Sequence, residues 1–393
     1  MTSPQASFAR PTIRRLVILD SDITALALVR SAHHLGVTPI IFDTHEGIAT
    51  ASRLARIELH LGRHRDETVP TLVNLGREAP SALIATADVW LRILAAHRPV
   101  LEAAYPLILH PANDALSICL SKERFGAWCE TNGFPAPRLY RLGPEFSPEA
   151  CDFPLIIRPA ETLHSDLTTR IPKAAEVRCA AELACRLDEF RRTGATPVLS
   201  QSLLGRELTQ YSVGLARVAD QTLTSVARKL RPPPEACAMG TLVEATECAD
   251  VERLARRAAT RLGYEGIAEI EVLRDEVSGE SFLIEINARP WLQFALGAAT
   301  GRDLLRFALT DGSRPARPTS AGRSALWLDF RADLRVCFRR EGLVRSGRLG
   351  FLDYVRSLAR ANVFARWKLT DMGPFWRDAL DLVAARFRRL RLR

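Results

Sequence analysis

Lysine is nearly missing from this chain: among its 54 basic residues only Lys122, Lys173, Lys229 and Lys368 are lysines. Each survivor is informative, because a compact ammonium meets a nucleotide phosphate as a point charge, whereas the planar guanidinium binds bidentately. Long apolar runs are missing too. No stretch approaches the roughly 20 apolar residues that span a bilayer. The polar opening Met1–Arg15, with Pro4 and Pro11, lacks the apolar segment of a secretory leader and reads as a disordered start to a cytoplasmic protein. The eight cysteines are scattered, with no C-x-x-C pair and none of the tight spacing of a disulfide scaffold, so they read as free thiols in a reducing compartment. The turn Asp20-Ser21-Asp22 after the first apolar run contains no glycine, which argues against a nicotinamide-type Rossmann site. Neither an aromatic-basic platform nor a reading-helix motif for nucleic acid is present.

What remains is the composition of a soluble globular protein, 47% apolar and 25% charged, and 393 residues suit two or three domains. The net charge of +9 is spread along the chain, with denser arginine clusters at Arg335–Arg348 and Arg386–Arg393. Arg15–Asp20 predicts a buried strand, Ile23–Leu35 a helix stopped by Gly36, and Thr38–Phe42 a second strand. A fainter helix-strand-helix pattern follows over 68–97, which implies a parallel sheet covered on both faces. A new unit begins near Asn113, with Ser121 as the N-cap of a helix running to Gly133. Strands are predicted at 154–159, 197–201, 208–215 and 222–230, helices at 180–191 and 250–262, and a polar loop at 160–172. Ile267–Leu273 and Ser281–Asn287 form a hairpin around Asp275–Gly279. Residues 311–323, rich in Pro, Gly, Ser and Arg, read as a linker, and 324–393 as a mainly helical extension ending in a basic amphipathic helix from Phe375.

Chemistry concentrates in the hairpin. Side chains alternate faces along a strand, so Glu269 and Glu271 share a face, and Leu283, Glu285 and Asn287 share one on the next strand. Pairing the strands gathers Glu269, Glu271, Glu285 and Asn287 into an oxygen-rich cluster that repels itself unless a cation neutralises it. Mg²⁺ prefers such a set of a few carboxylate or amide oxygens completed by phosphate. A solvated sheet face with ordinary surface acids would read the same way. Ala288-Arg289-Pro290 directly after Asn287 tips the balance.

The run Phe282-Leu-Ile-Glu-Ile-Asn-Ala-Arg-Pro290, preceded by Gly266-Ile-Ala-Glu-Ile-Glu-Val272, resembles the metal-binding hairpin of the ATP-grasp superfamily. The order of motifs from about 15 to 310 is similar to the branch of carboxylate-amine ligases that includes D-aspartate ligase. The resemblance implies a pre-ATP-grasp α/β domain at 1–112 and a two-lobed α+β ATP-grasp domain at 113–310, with lobes at 113–196 and 197–310. It also implies ATP and Mg²⁺ (or Mn²⁺) as cofactors, small-molecule carboxylate and amine substrates, and Glu271, Glu285 and Asn287 as metal ligands. Lys122, Arg158 and Lys173 would meet the nucleotide, the segment Gln201, Ser202 and Leu203 its adenine, and Glu207 its ribose. Lys229 and Arg231, on one face of their strand, would steady the γ-phosphate, and Arg289 the acyl phosphate or substrate carboxylate. The chain departs from the pattern at Arg158, where the family usually has lysine, and in the loop 160–170. That loop has no glycine, and Ser165, Thr168 and Thr169 stand as substitute donors. Two other readings stay open: a nucleotide-binding protein without catalysis, and an adaptor that docks through its basic C-terminal tail.

Overall fold

The computed structural model describes residues 12–161, 171–231, 240–310, 312 and 324–391, without the side chains of 385–391. The chain divides into two compact units, residues 1–109 with 366–393, and residues 110–365. Ser165, Thr168 and Thr169, nearly all of the linker 311–323, and the side chains of the arginine cluster at 386–393 lie outside the described residues.

The first unit is built as its β-α-β pattern predicts. β1 (Arg15–Leu19), β2 (Thr38–Asp43), β3 (Arg56–Leu59), β4 (Ser81–Ala85) and β5 (Leu107–Ile108) form an all-parallel sheet in the order β3-β2-β1-β4-β5. The helices α1 (Ile23–His34), α2 (Val69–Glu78), α3 (Asp88–Ala96) and α4 (Arg98–Glu102) connect them. Leu16, Val17, Ile18 and Leu19 are fully buried on both faces, which explains why β1 is a continuous apolar run rather than an alternating one. Gly36 follows α1 at φ 73°, the left-handed conformation that ends helices most cheaply at glycine.

Asp20, just past β1, also takes a positive φ, of 111°, although it is not glycine. Its carboxylate accepts a 2.8 Å hydrogen bond from Thr86 Oγ1. Burial, and then the neighbouring Asp22, push its carboxyl up to about 6, against the opposing Thr86 bond.

The second unit opens with α5 (Asn113–Cys119) and α6 (Lys122–Thr131). Ser121 caps α6 by accepting from Arg124 N at 3.3 Å. A four-stranded antiparallel sheet follows, β6 (Leu139–Tyr140), β7 (Leu155–Pro159), β8 (Ala175–Val177) and β9 (Pro197–Gln201), in the order β6-β9-β7-β8. Helix α7 (Ala180–Thr193) covers it through Leu183 and Phe190, which pack on Leu155, Ile157 and Leu199.

The larger sheet has seven strands. β10 (Leu208–Val218), β11 (Gln221–Arg231), β12 (Leu242–Ala245), β13 (Gly266–Asp275), β14 (Ser281–Asn287), β15 (Leu326–Leu328) and β16 (Val363–Phe364) run in the order β14-β13-β10-β11-β12-β15-β16. Its helices are α8 (Ala249–Arg261), α9 (Ala295–Ala299), α10 (Leu304–Leu309), α11 (Phe330–Phe338) and α12 (Phe351–Arg360). Residues after 324 therefore supply two strands of this sheet as well as helices.

The last helix, α13 (Gly373–Arg391), belongs to the first unit. There Asp371 accepts from Arg30 Nε and from Ser52 Oγ, each at 3.0 Å, inside a buried pocket. No described helix is long and apolar enough to cross a membrane. The seven described cysteines are all free thiols.

Candidate active site

The β13–β14 hairpin is pinned by its turn. Asp275 Oδ1 accepts from Val277 N at 3.0 Å and Ser278 N at 3.2 Å, a side chain imitating a backbone turn. This sets the register: Glu269 faces Asn287, and Glu271 faces Glu285. Directly opposed residues point to the same side of a sheet, so all four reach one face. One expectation fails here. Val272 pairs with Leu283, leaving Ile284 as an extra residue, and such a bulge reverses the alternation beyond it. Leu283 is therefore fully buried with Ile286 on the apolar face and does not join Glu285 and Asn287.

The four polar side chains form one network. Asn287 Nδ2 donates to Glu269 Oε2 and to Glu285 Oε1, each at 3.1 Å. Ser212 Oγ donates to Glu269 Oε1 at 2.8 Å, and Gln210 Nε2 to Glu271 Oε2 at 2.8 Å. Lys229 Nζ lies 3.4 Å from Glu271 Oε1, with its side chain only 5% exposed. Burial pushes the Glu271 carboxyl up to about 7; Lys229 opposes this, and the nearby Glu269 and Glu285 add to it.

Three carboxyl groups thus gather beside the Lys229 ammonium. Such an oxygen donor set fits Mg²⁺, which takes one or two protein carboxylates and completes its shell with phosphate and water. No group of three or more His, Cys, Asp or Glu side chains among the described residues is arranged to hold a metal by itself.

Gln210 and Ser212 escaped the sequence reading. Their signal was present: both are polar at period two on β10, the strand that flanks β13 on its inner side. Gly214 continues the same face opposite Glu269, where a Cβ would come within 2.8 Å of Trp291 Cε2.

Lys229 and Arg231 do not share a face. Lys229 pairs with Val243 and Arg231 with the adjacent Leu242, so a bulge at Leu230 sends the two cations to opposite sides. Arg231 Nε lies 3.2 Å from Asp333 Oδ1, and Nη2 donates to Ser357 Oγ at 2.7 Å. Its guanidinium also stands over the Tyr354 ring, 5.1 Å from the centroid. It is bound into the packing of α11 and α12.

Apart from Arg289, the remaining candidates lie around the small sheet and the segment joining it to the large one. Lys122 begins α6, and its N–H donates to Ala160 O at 3.0 Å, which ties the helix start to the end of β7. Arg158 is on β7, half-buried, and its Nε is a buried donor without a hydrogen-bond partner among the described residues. Lys173 is exposed just before β8. Between β9 and β10, Gln201 and Glu207 are exposed and Leu203 is buried. Ser202 Oγ donates to Glu176 Oε1 at 3.0 Å, fastening this connection to β8. Arg289 is half-buried two residues beyond Asn287.

No protein-family model matches the chain, and a comparison with curated proteins finds no match. Solved structures do match. N5-carboxyaminoimidazole synthetase from Staphylococcus aureus aligns at 12% identity over 84% of this chain and 86% of its own, with a TM-score of 0.64. The biotin carboxylase domain of Hydrogenobacter thermophilus 2-oxoglutarate carboxylase aligns at 14% identity over 80% and 74%, with a TM-score of 0.63, in a complex with MgADP, ADP and bicarbonate. L-amino acid ligase from Bacillus licheniformis aligns at 15% identity over 80% and 79%, with a TM-score of 0.60. The chain shares the fold of these solved structures.

Proposed function

We propose that the protein is an ADP-forming ligase that joins a carboxylate to an amine through an acyl phosphate. The observation that carries this reading is the convergence of Glu269, Glu271, Glu285 and Asn287 beside the buried ammonium of Lys229. Structural neighbours crystallised with ADP and with MgADP support it.

A carboxylate acylates amines poorly because oxide would have to leave. In the first step a carboxylate oxygen attacks the γ-phosphorus of ATP, the bond to the β–γ bridging oxygen breaks, and ADP departs. In the second, the amine nitrogen attacks the acyl carbon, phosphate leaves and the nitrogen loses a proton. The protein's task is to position the reactants and offset charge.

Glu271, Glu285 and Asn287 would hold Mg²⁺, which when bound neutralises the oxygens of the triphosphate. Lys229, now held by Glu271, would turn to the γ-phosphate, and Lys122, Arg158 and Lys173 would meet the phosphates. The backbone of Gln201–Leu203 reads the adenine edge, Glu207 takes the ribose hydroxyls, and Arg289 receives the substrate carboxylate or acyl phosphate. Arg231 has no part in this scheme, since its partners lie elsewhere.

The test is ADP release screened over pools of amino acids and small carboxylates, with Glu285→Gln as control. Substrate-dependent release that falls about 10²-fold or more in the variant is expected. Full turnover by Glu285→Gln refutes the metal assignment, and nucleotide binding without release from any pool refutes the ligase.

A further inference from the structure

Helices α11 and α12 carry apolar faces that the described residues leave exposed. On α11, Phe330, Leu334 and Phe338 recur every four residues and are exposed, while the adjoining face buries Asp333, Val336 and Cys337. On α12 only Tyr354 is buried, and the apolar stripe continues into solvent through Phe351, 60% exposed, Leu352, 68% exposed, and Val355. The Phe338 ring packs edge-on against Tyr354, with centroids 5.1 Å apart, so the two helices are neighbours. Singly exposed apolar residues need no explanation; six large ones on two adjacent helices do.

Charge narrows the choice of occupant. Residues 330–360 contain eight arginines and three acids. Asp333 is committed to Arg231, and Asp353 to Arg356 at 2.9 Å. Arg335, Arg340, Arg345 and Arg348 are exposed around the stripes. A second copy of the chain docking here through a two-fold axis would set these arginines against themselves. Nucleic acid would meet the charge and could stack on Phe330 or Phe351, but the aliphatic Leu334, Leu352 and Val355 would stay unburied against it. An anionic lipid surface meets both features, since acyl chains take the apolar side chains and headgroup phosphates take the guanidinium groups.

We infer that α11 and α12 form a peripheral docking surface for an anionic membrane, separate from the nucleotide chemistry proposed above.

The experiment is co-sedimentation of the full chain with vesicles of phosphatidylcholine alone and of phosphatidylcholine mixed with phosphatidylglycerol, at low and high salt. Binding to the mixed vesicles that weakens with salt is expected. Phe351→Ser with Leu352→Ser should lower that affinity at least about tenfold. Both positions are exposed, so an unchanged melting temperature confirms folding. Arg335→Glu should weaken binding and flatten its salt dependence. On α13, Trp376 and Leu380 are also exposed, and Trp376→Ser with Leu380→Ser should leave affinity unchanged.

The inference is overturned by absence of binding, by equal binding to both vesicle types, or by loss of binding only in the α13 variant. Self-association abolished by the α12 variant without vesicle binding also overturns it, in favour of a second copy.

Discussion

Two cations stand two residues apart on β11 and face opposite fates. Lys229 is 3.4 Å from Glu271, with the carboxyl groups of Glu269 and Glu285 close by. Arg231 is 3.2 Å from Asp333, one guanidinium to one carboxylate, and Ser357, Cys337 and the Tyr354 ring enclose it. Burial raises the Asp333 carboxyl above its usual range, while the hydrogen bond from Thr241 and the charge of Arg231 hold it down. The balanced pair is an anchor for α11 and α12. In the function proposed above this cluster takes a cation, and the gathering of three carboxyl groups, rather than burial or distance, tells the two apart.

The largest effect on stability is expected where the balanced pair is broken. Arg231→Ala strands Asp333, whose side chain is fully buried, and should cost about 3–5 kcal/mol in urea unfolding. Arg231→Met combined with Asp333→Leu should recover most of that loss; an Arg231→Ala cost below about 1 kcal/mol would erase the contrast with Lys229.

Lys229→Met should cost less stability than Arg231→Ala, because burial already pushes the Glu271 carboxyl up to about 7, so that it can take a proton when its partner is removed. Its substrate-dependent ADP release should nonetheless fall about 10²- to 10³-fold.

Asp20 sharpens the comparison with a raised carboxyl in the other unit. Its folded pKa of about 6 lies above the ordinary 3.8, so its favourable contribution is full below pH 3.8 and lost as pH rises through about 6. Asp20→Asn should therefore stabilise the chain by up to about 3 kcal/mol at pH 8 and leave it nearly unchanged below pH 4, read from denaturant midpoints across pH. A stability gain that grows toward acid pH would contradict the sign.

The smallest effect is at the floor of the cluster. Gly214→Ala meets the Trp291 ring beside Glu269 and should cost about 1–3 kcal/mol in urea unfolding while leaving the Arg231 anchor intact.

Much of this architecture was readable because its signals are local. Continuous apolar runs marked β1 and β2, Gly36 marked a helix end, and the Asp275–Gly279 turn with alternating carboxylates marked the hairpin. What escaped depends on partners distant in sequence. β15 and β16 are only three and two residues long, and nothing within them reveals that they extend the large sheet. The bulges at Ile284 and Leu230 escaped for a related reason: strict alternation assigns a face by counting, and one extra residue reverses the count. That reversal kept Leu283 out of the cluster and carried Arg231 away from Lys229. Gln210 and Ser212 did carry a period-two signal, but it gains meaning only once β10 lies beside β13.

The central claim is that Glu271, Glu285 and Asn287 gather a magnesium ion together with a nucleotide. Calorimetric titration of ADP, with and without Mg²⁺, into the full chain and its Glu285→Gln variant tests it most directly. The account predicts that Mg²⁺ tightens ADP binding to the unaltered chain and that this gain largely disappears in the variant. An equal gain in both proteins, or no nucleotide binding in either, would contradict it.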